Sequence, residues 1–159
     1  MGLAGFRTLG PDAVKAVPEL VKVYDCETNQ ALLWNISDCL GYIGPGASNA
    51  APALLSRAKD AHHNHRYVRS CAIWALGKIH PDPKTIVPAL TALLRDKDPE
   101  MRCDAANALA NFGSNAISSV PILIECLQDE KNPRRQDQFR ETLLAIQPEA
   151  LSSIRPLKP

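Results

Sequence analysis

Residues 68–113 read VRSCAIWALGKIHPDPKTIVPALTALLRDKDPEMRCDAANALANFG. Val68, Ala72, Ala75, Leu76 and Ile79 recur at steps of three and four, which places them on one helical face. After a break at His80-Pro81-Asp82, Leu90, Leu93 and Leu94 form the apolar stripe of a second helix spanning VPALTALLRD (87–96), with Pro88 in its first turn. Asp98-Pro99-Glu100 then supplies an N-cap, a proline for the first helical position and an acid for the first turn. The first pattern returns as Met101, Ala105, Ala108, Leu109 and Phe112. This stretch predicts antiparallel helix pairs with short connections.

The same spacing extends in both directions. Pro18, Pro52, Pro88 and Pro121 lie 34, 36 and 33 residues apart, each followed two positions later by Leu20, Leu54, Leu90 or Leu123. Eight residues before each proline stands Gly10, Gly44, His80 or Gly113, and four before that Phe6, Leu40, Leu76 or Leu109. A glycine there allows the left-handed backbone that ends a first helix. A fifth copy holds Leu143, Gln147 and Leu157 in register, with Arg155 in the proline slot. From Leu32, Val68, Met101 and Arg135 to the next proline slot is always 20 residues, so the length variation sits between repeats. Self-similarity at this period marks stacked supersecondary units. It divides one expected domain, 1–159, into repeats at about 1–27, 28–63, 64–97, 98–131 and 132–159, the first and last incomplete.

These residues resemble the HEAT-like repeats first noted in phycobilin lyases. Val68, Arg69, Ala72, Ala75, Leu76, Gly77 and Ile79 match the first half of that pattern, and Val87, Pro88, Leu90, Leu93, Leu94 and Asp96 the second. The resemblance implies an all-α fold: a right-handed α-solenoid of about five antiparallel helix pairs, with the second helices lining a concave face. His80 and Gln147 depart from the pattern's glycine, and Arg135-Gln136 from its apolar-then-Arg start, which suits a polar cap. Tetratricopeptide repeats share a period of roughly 34 and are the alternative fold. They do not expect the proline at this place, nor a glycine eight residues before it.

Composition narrows the chemistry. The formal net charge is +1, so no global field favours nucleic acid or an anionic membrane. Cys26, Cys39, Cys71, Cys103 and Cys126 are odd in number, widely spaced and without a CxxC pair, which disfavours a disulfide or zinc framework and fits a reducing compartment. No apolar run is long enough to span a membrane, and MGLAGFRTLG (1–10) lacks a signal-peptide pattern. A cytoplasmic chain is expected, either a monomer or part of a longer repeat array.

HEAT-like folds include enzymes with recognisable residue patterns. Deoxyhypusine hydroxylases hold iron through repeated His-Glu pairs, but His62, His63, His65 and His80 are followed by His63, Asn64, Arg66 and Pro81. Glycosylases of related fold use a strongly basic groove with aromatics, whereas Trp34 and Trp74 fall at positions expected to pack between helices. No phosphate loop, nucleophile elbow or HExxH occurs. AHHNHR (61–66) gathers three imidazoles that could ligate zinc, nickel or copper. In the repeat register it is the longest inter-repeat connection, and a solvated loop is the expectation.

The expected function is a non-catalytic scaffold or adaptor without cofactor or metal, binding another protein or peptide. The candidate concave-face residues are Lys15, Glu19, Lys22, Ser56, Lys59, Lys84, Arg95, Glu125 and Gln128, which mix both charges. Arg57, His62, His63, His65, Arg66 and Arg69 form a candidate basic edge, and Lys131, Arg134, Arg135 and Arg140 a second basic cluster. A nucleic-acid-binding HEAT-like module is the second reading and a bilin-lyase-like enzyme subunit the third.

Overall fold

A computed structural model describes residues 10–60 and 66–153. These residues are helical, with no strand among them. They divide into two compact units, Met1–Asp82 and Pro83–Pro159. The first holds α1 (Val17–Cys26), α2 (Gln30–Ile43), α3 (Ala51–Lys59) and α4 (Arg66–Ile79); the second holds α5 (Pro83–Leu93), α6 (Pro99–Ala110), α7 (Val120–Asp129) and α8 (Pro133–Ile146). Short 3-10 helices occupy Gly10–Ala16, Gly44–Ala50, Gly113–Ser119 and Pro148–Ser153. No described helix is long and apolar enough to cross a membrane.

The glycine–proline spacing has a local cause. Gly44 (φ 73°) caps α2, its N–H bonding the Leu40 carbonyl, and Gly113 follows α6 at φ 51°. Seven residues of 3-10 helix then run to the start of the next α-helix, whose second residue is the repeat proline: Pro18, Pro52 or Pro121. Proline has no N–H to donate, and at that position none is required.

The third copy departs from this expectation. His80 takes the glycine's place at φ 44°, in a left-handed region costly for a residue with a Cβ. Pro83, with its preset φ, opens α5 at once, so the 3-10 segment is replaced by α-helix and Pro88 lies inside the helix. Pro88 is exposed. The backbone bond it cannot make therefore falls on the solvent side of the helix.

The predicted apolar faces form the cores. Val68, Ala72, Ala75, Leu76 and Ile79 of α4 are buried, as are Met101, Ala105, Ala108, Leu109 and Phe112 in and after α6. In the first unit α2 packs on α4 and α3 on α4; in the second α6 packs on α8 and α7 on α8. The α2–α4 approach is close because Gly41 lacks a side chain: a Cβ there would overlap the Trp74 indole, which also meets Tyr42 edge-to-face at 5.5 Å. Trp74 thus packs between first helices as its position predicts, while Trp34 is 46% exposed.

Three inter-repeat connections share one construction. A carboxylate accepts the N–H two residues on: Glu27 from Asn29 (2.7 Å), Asp96 from Asp98 (2.9 Å) and Glu130 from Asn132 (2.9 Å). That second residue then caps the next first helix, accepting from Ala31, Glu100 or Arg134 at 3.0 Å. The loop AHHNH (61–65) lies outside the described residues.

Candidate functional site

The second helices turn their leucines inward and their polar positions outward. In the first unit Leu54 and Ala58 are buried on α3, and Lys15, Glu19, Lys22, Ser56 and Lys59 are exposed on α1, α3 and the 3-10 helix before α1. In the second unit Leu90, Leu94, Leu123 and Leu127 are buried, and Lys84, Arg95, Glu125 and Gln128 are exposed. Arg95, just past α5, and Glu125 on α7 join in an ion pair at 2.9 Å. Both side chains remain more than half exposed, so the pair is weak and exchangeable.

The candidate basic edge is placed differently by each residue. Arg57 is half-buried; its Nη2 donates to the Tyr24 and Glu27 carbonyls, both at 3.0 Å, and its guanidinium lies 5.7 Å from the Tyr24 ring centre. Arg69 is only 7% exposed, and its Nε donates to the Ala58 carbonyl at 3.0 Å. Both arginines satisfy carbonyls at or near the C-terminal ends of second helices, which have no partner within the helix. Arg66 is exposed at the start of α4. His62, His63 and His65 lie outside the described residues.

The second unit repeats this device. Arg102 donates to the Asp96 carbonyl at 3.0 Å, and Gln136 donates to the Glu130 carbonyl at 2.6 Å. Gln136 therefore does the work of the arginine that the repeat pattern expects there. In the second basic cluster, Arg140 pairs with Asp137 at 2.8 Å and Arg135 with Glu130.

A cavity of about 340 Å³ opens at the C-terminal ends of α5 and α7, lined by Leu94, Arg95, Asp96, Arg102, Ile122, Glu125, Cys126, Asp129 and Glu130. Its fixed wall is Glu130, whose side chain is 5% exposed. Arg135 holds that carboxylate through Nε (3.0 Å) and Nη2 (3.1 Å), the Lys131 and Asn132 amides donate to it, and Arg102 stands 3.6 Å away. The Arg135 hydrogen bonds above all, with the amides beside them, bring the Glu130 carboxyl down to about 2. Cys126 points its Sγ to the Leu94 carbonyl at 3.3 Å, and burial pushes this thiol's pKa up. Among the described residues, no three His, Cys, Asp or Glu side chains gather as a metal site.

Periodicity in the sequence gives the exposure of the second-helix residues. The Glu130–Arg135–Arg102 network is not visible in that periodicity. Its available signal was the acid standing two positions before each capping Asn or Asp.

Residues 61–143 match the family model of HEAT repeats. Among solved structures, computationally designed armadillo repeat proteins for modular peptide recognition superpose with a TM-score of 0.65 at 20% identity, over 91% of this chain and 74% of theirs. A designed armadillo repeat protein in complex with the peptide (KR)4 gives 0.62 at 18%, over 90% and 72%. An engineered protein gives 0.61 at 23%, over 90% and 69%. At these identities the likeness is one of fold: all-α and of the helical-repeat class. No curated protein matches the chain.

Proposed function

The chain belongs to the HEAT-repeat family, and from that premise we propose that it is a non-catalytic scaffold that binds a protein or peptide on its second helices. The observation that carries this reading is the exposure of polar side chains of both signs on or directly beside the second helices of each unit: Lys15, Glu19, Lys22, Ser56 and Lys59 in the first, Lys84, Arg95, Glu125 and Gln128 in the second. The buried side chains of these helices, among them Tyr24, Leu54, Leu90 and Leu123, are different ones, so the exposed positions can change partners without disturbing the core. Of the solved structures with a similar fold, one is a designed protein in complex with a peptide and another was designed for modular peptide recognition. That likeness supports a peptide-sized ligand here.

Site-specific photocrosslinking tests the proposal. A photoreactive residue placed at Lys22, Ser56 or Gln128 is expected to capture a common partner, and the same group at Lys78 or Glu141 on first helices is not. Equal capture from both sets, or capture from the first helices alone, would refute the assignment of the face.

A further inference from the structure

We infer that the cavity at the ends of α5 and α7 receives an arginine side chain from an extended peptide lying on the second-helix face of that unit. This rests on the proposed peptide-binding reading and names the chemistry one part of the face selects.

Size comes first. About 340 Å³ falls at the lower end of small-ligand clefts, roughly 300–1,000 Å³. It accommodates one long side chain rather than a folded element. Leu94, Ile122 and half-buried Cys126 give it an apolar wall suited to an aliphatic stem.

Charge comes next. Glu125 and Asp129 are four residues apart on α7, which puts both carboxylates on one helical face. Asp129 has no ion-pair partner among the described residues. The C-terminal ends of two helices bring their partial negative charge to the same place. Glu130 does not compete for the ligand, because Arg135 and Arg102 already engage it.

The chain also shows that Glu125 accepts a guanidinium here. Arg95 occupies it at 2.9 Å, with both partners largely in solvent. An incoming arginine replaces Arg95 on Glu125 and uses its planar fork to reach Asp129 as well, while Arg95 swings into water. Arg95 is therefore an internal competitor that tunes affinity.

The test is fluorescence anisotropy of labelled (Gly-Arg)4 and (Gly-Glu)4 peptides with the full chain at low salt. (Gly-Arg)4 is expected to bind and (Gly-Glu)4 not. Glu125→Gln with Asp129→Asn is expected to weaken (Gly-Arg)4 about fivefold or more, and Arg95→Ala to tighten it about threefold, from the usual strength of exposed ion pairs. These surface changes should leave the melting curve in place. Unchanged binding in the double variant, weaker binding in Arg95→Ala, preference for (Gly-Glu)4, or no binding of (Gly-Arg)4 would each overturn the inference. None of those results touches the broader proposal, which the crosslinks test separately.

Discussion

Arg135 lies along the Glu130 carboxylate, with Nε at 3.0 Å from Oε2 and Nη2 at 3.1 Å from Oε1. The pair joins the first turn of α8 to the connection that precedes it, and through Arg102 and Glu100 reaches α6. Glu130→Gln removes the charge that two arginines face. It is expected to lower stability by about 2 kcal/mol, the usual loss for a hydrogen-bonded charge, as measured by urea unfolding.

The same carboxylate makes stability depend on acid. Its folded-state pKa, about 2, is below the ordinary 4.5, so the unfolded chain takes up that proton first. The stabilisation is complete above about pH 5 and is lost as pH falls towards 2. In wild type, urea midpoints should drop across that window. In Glu130→Gln the drop should be shallower by this group's share, and an unchanged slope would refute the assignment.

Gly41 and Trp74 set the spacing of α2 and α4. A methyl at Gly41 has no room beside the indole, so Gly41→Ala is expected to cost about 1–3 kcal/mol. Trp74→Leu in the same chain should recover part of that loss. Thermal melts of the two single variants and the double variant check this, because additive losses would show that the two sites do not touch.

Arg69 serves the fold of the first unit. Arg69→Met keeps the stem but leaves the Ala58 carbonyl without this donor, and is expected to cost about 1–3 kcal/mol. Chemical denaturation measures the loss. If Arg69 were instead a binding residue at a basic edge, the variant would keep its stability and lose affinity.

Gly44 and Gly113 hold positive φ angles at the ends of first helices. Gly113→Ala is expected to destabilise by about 1 kcal/mol or more, because a Cβ is strained there whatever the space around it. A melting temperature equal to wild type would show that the turn relaxes.

Much of this architecture is legible in the chain's periodicity. The spacing of Val68, Ala72, Ala75, Leu76 and Ile79 defines a buried helical face, and it is buried. The 3-10 segments are less legible: GPGASNA and GSNAISS carry no apolar period, and their form follows from the turn before them and the proline after. In the third copy two helix-start signals compete, and Pro83 overrides Pro88 because it comes first. Arg135 reads as a polar cap residue in one dimension. Its role depends on Glu130, which reaches it only when the connection folds back. Exposure of Arg95 and Glu125 follows from their register. Their pairing across thirty residues does not, because it needs two helices side by side.

A partner held by the second helices leaves a footprint in backbone exchange there. Hydrogen–deuterium exchange of the chain, alone and with the partner captured by crosslinking, reads that footprint. Slower exchange on binding is expected in α1, α3, α5 or α7, with α2, α4, α6 and α8 unchanged. Protection confined to those four first helices would place the partner on the opposite set of helices.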